Sequence, residues 1–510
     1  MARSKRFLLF SGAIFLLTFG AAAQSIRTPW SGHAHDAQHT ALSPVASQPL
    51  NRIVWHTSLD MFSQFRGNFL AIHYGSPLVT RSNTVIVPVN TGLANGFMVE
   101  ALTGATGATN WTRTTDYLLP PYSWLPGLSS ALTPKNRLYF PGGGGTVYFC
   151  DTPDMTNVTP TFGQTAFYGL ASYLANTNAY LANIFINTPI TSDRYGNIFF
   201  GFQVTGPTPL NLQSGLARID FNGTATWVSA TNITGDTSMN KVQLSCAPGL
   251  NNDHTKVYVA INNDAANAGY LVALDSRTLA VLADVRLKDV KNPANDCFVT
   301  DKGTASPLVA PDGDVYFGVQ ENPIGVNNNH GRGWLLHFDG ALSQSKTPGA
   351  FGWDDTPSIV PSSLVPSYHG GSPYLVLVKY NNYVSRGGDG MNQIAILDPQ
   401  NTMTDPISGT TVMTNVLTIA GPTPDTANTN TAPGAVREWC VNTIAIDPAS
   451  KSALVNNEDG RLYRWSFAAN KLTETNILNS GTGEAYTPTV IGVNGFVYAI
   501  QDAILYCVGQ

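Results

Sequence analysis

The chain has 510 residues, and only 12% of them are charged, about half of the roughly 25% usual in soluble domains. A net charge of −5 excludes the basic stripe of a nucleic-acid binder, and an aromatic content of 10% excludes bulk disorder.

The N-terminus carries Arg3, Lys5 and Arg6, then an apolar run at 7–20, then Ala21, Ala22 and Ala23. A basic start, a short apolar core and an A-x-A site predict a signal peptide over 1–23. The run is shorter than the roughly 20 residues of a membrane span, so export to the periplasm or beyond is expected, with no stable membrane anchor. Residues 24–50 form a mobile leading segment. It holds His33, His35 and His39, whose spacing could bind a metal but lacks a fourth ligand, so no metal site is assigned.

From there a module recurs to the end of the chain. A lone strand, RIVWHTS from Arg52, comes first. The first repeat reads SPLV from Ser76, TVIVPV from Thr84 and FMVEAL from Phe97. The second reads SALT from Ser130, RLYFPG from Arg137 and TVYFCD from Thr146. The third has TPIT from Thr188, NIFFGF from Asn197 and GLARID from Gly215. The fourth has SCAPGL from Ser245, KVYVAI from Lys256 and YLVALD from Tyr270. SPLV from Ser306, DVYFGV from Asp314 and WLLHFD from Trp334 make the fifth. SIVP from Ser358, YLVLVKY from Tyr374 and QIAILD from Gln393 make the sixth, with an insertion over 400–435 and a surface loop at 423–434. NTIAID from Asn442, SALVNN from Ser452 and RLYRWS from Arg461 form the seventh. TPTV from Thr487, FVYAIQ from Phe496 and ILYCV from Ile504 form the last.

These runs are short and rich in β-branched and aromatic residues, as strands require. Turn signals such as Asp312-Gly313 and Asn494-Gly495 separate them. Repeats of about 55 residues with no helix predict an all-β fold, an eight-bladed β-propeller of four-stranded antiparallel blades. The last repeat stops after its third strand, so the strand from Arg52 is expected to close it. Seven blades is the alternative, because the second and fifth repeats lack a clear fourth strand. The domain reading is 1–23 signal peptide, 24–50 leading segment and 51–510 one propeller, a monomer.

The five cysteines, Cys150, Cys246, Cys297, Cys440 and Cys507, lie far apart. Cys246 and Cys297 fall in neighbouring repeats and are the candidate disulfide, whereas Cys150 and Cys507 read as buried thiols.

The stretch ALTGATGATNW at 101–111 resembles the A-x-D-x-x-T-G-x-x-x-W signature of the PQQ-like (quinoprotein alcohol dehydrogenase-like) propellers, with Thr103 in place of the Asp. The matching positions are Ala101, Thr106, Gly107 and Trp111. The resemblance implies that Trp111 packs between blades and that Thr106-Gly107 turns between third and fourth strands. Residues 30–45 also look like the opening sequence of these proteins. The family includes pyrroloquinoline-quinone dehydrogenases and propellers that bind no cofactor. This chain has no adjacent Cys pair and no convincing match to the family's calcium ligands. Trp353-Asp354-Asp355 is a faint echo of an Asp-rich segment in those enzymes.

In a propeller, the loops leading into the inner strands gather at one mouth of the channel. Here those loops hold His73 and Tyr74, Tyr122 and Trp124, Lys241 and Gln243, and Asp296, Asp301 and Lys302. They also hold Trp353, Asp354, Asp355, Arg437, Glu438, Trp439, Glu484 and Tyr486. Aromatics with a few placed charges at a concave mouth define a candidate ligand site, although solvated loops with ordinary ion pairs would look the same. Arg437 is the expected anion contact, because its fork suits carboxylates. Two functions follow. One is a non-catalytic exported module binding a protein, peptide or glycan, with no cofactor. The other, resting on the resemblance, is an alcohol or sugar dehydrogenase using pyrroloquinoline quinone and calcium.

Overall fold

A computed structural model of the chain describes residues 29–63, 65–66, 69–70, 75–92, 95–120, 129–481 and 488–510, besides Met1. The signal-peptide reading falls outside these residues. No helix among the described residues is long and apolar enough to cross a membrane.

The chain is an eight-bladed β-propeller of antiparallel sheets. Blade 1 runs from its inner strand Leu78–Val79 to its outer strand Thr109–Leu118. Blade 8 contains Val490–Ile491, Val497–Gln501 and Ile504–Gly509, and Arg52–Ser58 completes it. That last pairing is antiparallel, with Arg52 opposite Gly509 and Ser58 opposite Ile504. It removes two free edges at once, as expected.

Trp55 then locks the closing strand onto blade 1. Its indole N–H donates to Gly104 O at 2.9 Å, and its ring covers Gly107. Gly107 has φ +70°, and a Cβ there would meet the Trp55 ring at 2.7 Å, so only glycine serves. Trp111 is buried and donates to Pro153 O of blade 2 at 2.9 Å. Both roles implied by the repeat signature are therefore present, the tight turn and the wedge between blades.

Four features depart from the regular pattern. The fifth blade has three full strands, and isolated bridges Leu335–Gly349 and Phe338–Ser345 stand in for its fourth. The inner edges of blades 3 and 4 are each split into two short strands, in blade 4 at Lys241–Val242 and Gly249–Leu250. Ser245, between them, takes a left-handed φ of 63°. Short helices Leu170–Ala175, Thr177–Asn183 and Ala230–Thr234 occupy links between blades where no helix is predicted. Much of the expected insertion at 400–435 is regular. Gln393–Thr404 and Thr411–Ala420 form one long hairpin, which supplies the third and fourth strands of blade 6.

The described part of the leading segment, from residue 29, is packed against the ring and not a loose stretch. Residues 30–48 hydrogen-bond in turn to seven blades. The partners are Val79, Leu132, Leu250, Val309, Ile359, Ile446 and Gly495. Trp30, Ala34, His39 and Ala41 are buried. Ala34, His35, His39 and Ala41 all have positive φ, which coils the segment tightly enough to cap the channel. His33 and His39 pack edge to face at 5.1 Å. His39 Nδ1 lies 2.8 Å from Pro307 O, and His33 Nε2 lies 3.4 Å from the Thr356 hydroxyl. These rings act as packing and hydrogen-bonding groups.

All five cysteines are buried free thiols, so Cys246 and Cys297 form no disulfide. Each is fixed separately. Cys246 N bonds Gln243 O in the split inner edge of blade 4, and Cys297 N bonds Leu287 O on the segment leading to blade 5. Adjacent repeats bring the two residues into one core without bringing their side chains into a bridge.

Candidate functional site

The leading segment pairs with the far ends of the inner strands, beside their hairpin turns. The loops that approach those strands therefore meet at the opposite mouth. At that mouth, a cleft of about 520 Å³ opens over blades 4 to 7. Phe298, Thr300 and Lys302 reach it from the approach to blade 5. Trp353 reaches it from the approach to blade 6, and Glu438 from the approach to blade 7. Gln320, Tyr383 and Arg386 complete the polar and aromatic lining.

The Trp353 backbone sits close to blade 5 because Gly333 makes room. A Cβ on Gly333, which has φ +62°, would lie 2.7 Å from Trp353 Cβ. The Trp353 indole N–H points to the Tyr383 hydroxyl at 3.3 Å, which joins the two aromatic groups. Lys302 and Arg386 are exposed and have no ion-pair partner among the described residues.

Of the residues expected here, Lys302 and Glu438 line the cleft, and Trp353 does so beside them. His73, Tyr122, Trp124 and Glu484 lie outside the described residues. The other charged candidates are engaged elsewhere. Lys241 is buried against Asp301, which also accepts from Leu244 N and Asn262 Nδ2. Asp296 is gripped by Arg286 at 2.8 Å and Lys288 at 2.6 Å. Hydrogen bonding from Arg286 is the main reason its carboxyl falls to about 2.

Asp354 is buried and ion-paired with Lys379, whose side chain is 1% exposed. Asp355 Oδ2 accepts from Lys379 N at 2.9 Å, and burial pushes its carboxyl up to about 7. Burial opposes the Lys379 charge, but Asp354, Cys440 and Asp355 outweigh it and hold the ammonium above its ordinary value. Lys379 is a residue that sequence reasoning missed. Its signal was a lone cation inside the apolar strand YLVLVKY.

Trp439 is wholly buried and packs against Tyr463 at 5.8 Å, so it belongs to the core and not to the mouth. Arg437 does not line the cleft. Its backbone N bonds Thr423 O, and its charge acts on Glu458. Arg386 occupies the place expected of it.

Behind Glu438, the ligand atoms of Glu438, Cys440 and Glu458 all lie within 4.8 Å of one another. The Cys440 thiol donates to Glu458 Oε1 at 3.1 Å, and burial holds the Glu458 carboxyl above its usual range. This is the one group with metal-ligand spacing among the described residues. It does not suit calcium, which takes about six to eight oxygen ligands. The group offers a thiol and two carboxylates, one of them favouring its proton. Asp354 and Asp355, the other nearby carboxylates, are already engaged by Lys379, Asp354 through its ammonium and Asp355 through its backbone N–H. The described residues therefore do not fit a quinone–calcium centre.

No protein-family model matches the sequence, and no curated protein does either. Solved structures do match. The fold is similar to that of a europium-containing methanol dehydrogenase, with TM-score 0.55 and 11% identity over 92% of this chain and 89% of that one. It is also similar to the quinohemoprotein alcohol dehydrogenase of Comamonas testosteroni, with TM-score 0.51 and 12% identity over 96% of this chain and 82% of that one. The chain thus shares the propeller fold of these two dehydrogenases, and at such identity the likeness concerns the fold alone.

Proposed function

We propose that the protein is an exported, non-catalytic binding propeller that takes an acidic glycan at the open mouth of its channel. The observation that carries this reading is the pairing of Lys302 and Arg386, both without ion-pair partners among the described residues, with the aromatic faces of Trp353, Tyr383 and Phe298 in one cleft. A pyranose ring can lay its C–H face on an aromatic ring. An Arg fork receives a carboxylate through two parallel hydrogen bonds. Thr300, Gln320 and Ser385 supply groups for hydroxyls. The cleft volume of about 520 Å³ is that of an ordinary small-ligand site.

Isothermal titration of the mature chain with uronate oligosaccharides and their neutral counterparts tests this. The acidic sugars are expected to bind more tightly, and Arg386→Ala to weaken them about tenfold, the size of a lost charge-assisted hydrogen bond. Arg437→Ala should leave binding unchanged. Equal binding of neutral and acidic sugars would refute the reading. So would dye reduction on alcohols or sugars after incubation with pyrroloquinoline quinone and calcium, since that would make the chain a dehydrogenase.

A further inference from the structure

The mouth carries another cleft beside the first, of about 550 Å³, over blades 3 and 4. Gln203 and Thr205 reach it from the end of Ile198–Val204, and Gln213 from the loop before Gly215–Ile219. Thr231 comes from the short helix that leads to blade 4. Asp264 comes from the turn after Lys256–Asn262. Ala265 and Ala266 of that same turn line the first cleft. One turn of blade 4 is therefore the wall between the two.

The wall is firm and carries little bulk. Its two alanines present only methyl groups. Asn263 Nδ2 donates to Asn267 Oδ1 at 2.8 Å, and the Ala266 amide donates to Asn263 O at 2.9 Å. The turn is thus bonded to itself, and no long side chain of it stands in the way of a ligand that crosses from one cleft to the other.

The second cleft differs from the first in chemistry. Among the described residues no aromatic ring lines it. Its cation, Lys241, is buried against Asp301. Asp264 is exposed and has no ion-pair partner among the described residues. One of its oxygens accepts from Asn240 Nδ2 at 2.7 Å, and the other bonds to no protein group. The side chains of Gln203, Thr205, Gln213 and Thr231 make no hydrogen bond among the described residues. Thr205 and Gln213 are exposed, and the polar atoms of half-buried Gln203 and Thr231 keep contact with solvent.

These groups suit hydroxyls. An amide or a carboxylate can engage two neighbouring hydroxyls, and a threonine hydroxyl donates or accepts. Val204 and Leu212 offer an apolar side to the C–H face of a sugar ring. The one unpaired charge among the lining residues is the Asp264 carboxylate, which repels a second acid group.

We infer that a glycan bound at the mouth crosses the blade 4 turn, with its uronate in the first cleft and a neutral sugar unit in the second. The ligand class is then an acidic heteroglycan, in which uronate and neutral units share one chain, and not a polyuronate. The inference rests on the acidic-glycan reading of the first cleft, and the second cleft decides which acidic glycans qualify.

Isothermal titration of the full chain with two hexasaccharides tests it. One alternates glucuronate with N-acetylglucosamine, and the other is galacturonate throughout. The alternating chain is expected to bind about tenfold more tightly, as for a hydrogen bond to a charged group. Asp264→Ala should weaken the alternating chain by about that factor and strengthen the polyuronate, because the same carboxylate holds hydroxyls of one and repels the charge of the other. Gln213→Ala should weaken the alternating chain about threefold, as for a neutral hydrogen bond. Both side chains are exposed, so neither change disturbs packing. Equal binding of the two hexasaccharides, or wild-type affinities in both variants, would overturn the inference; the reading of the first cleft would stand if Arg386→Ala still weakened them. Binding of neither hexasaccharide would overturn both.

Discussion

At one end of the channel, His33 and His39 are folded inward as neutral rings. Behind the other mouth, Asp354, Asp355 and Lys379 are folded inward as a charged cluster. Burial lowers both histidines, His39 to about 4, and raises Asp355 to about 7. The same cost of burying charge thus acts at both ends and shifts the two kinds of group in opposite directions. The capped end resolves it by giving up charge, and the open end by pairing Asp354 with Lys379 while Asp355 gives up part of its charge. Only beyond the pair, at the surface of the cleft, are cations left over for a ligand.

Removing the cap should have the largest effect. Trp30 is 1% exposed and anchors the segment to blade 1. Trp30→Ala should cost about 3–5 kcal/mol in denaturant unfolding, as for other buried aromatic truncations. A loss under about 1 kcal/mol would mean that the segment is a passive lid.

Lys379→Met should cost about 3 kcal/mol, the low end for orphaning a buried charge, because Asp354 can take a proton instead. Its destabilisation should be greater at pH 8 than at pH 5. A pH-independent loss would show that packing, not charge, holds the cluster.

The pH dependence of stability sharpens the contrast itself. His39 has a folded value of about 4 against an ordinary 6.5. Between those values the unfolded chain binds the extra proton, so its share of stability falls as pH drops from 6.5 to 4. That share is about 3 kcal/mol at most, at 1.36 kcal/mol per unit. Asp355 has the opposite sign. Its folded value of about 7 exceeds the ordinary 3.8, so the native state binds the proton first and acid stabilises it over that window. Unfolding curves from pH 4 to 7 should therefore steepen in acid for Asp355→Asn and flatten or reverse for His39→Phe. Parallel profiles for the two variants would remove the contrast.

The smallest effect is expected from reductant. With Cys246 and Cys297 both free, dithiothreitol should leave Tm unchanged, and the unreduced, denatured chain should titrate all five thiols.

Much of this was legible in the sequence. The recurring strands, the closure by Arg52–Ser58 and the roles of Gly107 and Trp111 depend on side-chain periodicity and turn chemistry, which are local. The position of the mouth also followed, because the loops that lead to inner strands must converge there. Lys302 and Glu438 were found in this way. The partners were not legible. Nothing local distinguishes Lys302, which is exposed, from Lys241, which is buried against Asp301. Arg437 and Arg386 lie in equally plausible loops, and only the path of the chain sets Arg386 in the cleft.

The leading segment shows the same division. Its composition suggested a mobile stretch with a metal-like histidine spacing. Its fate depends on seven blades forming a ring that offers backbone groups and an apolar lining to each residue in turn. The sequence by itself determined the order of the blades and narrowed their number to eight or seven, since every blade but the closing one is built from contiguous residues obeying a period of two. Only the tertiary structure decided which charges pair, which histidines are buried and which thiols remain apart. Those outcomes depend on distances between residues hundreds of positions apart, and on burial, which no single stretch of chain controls.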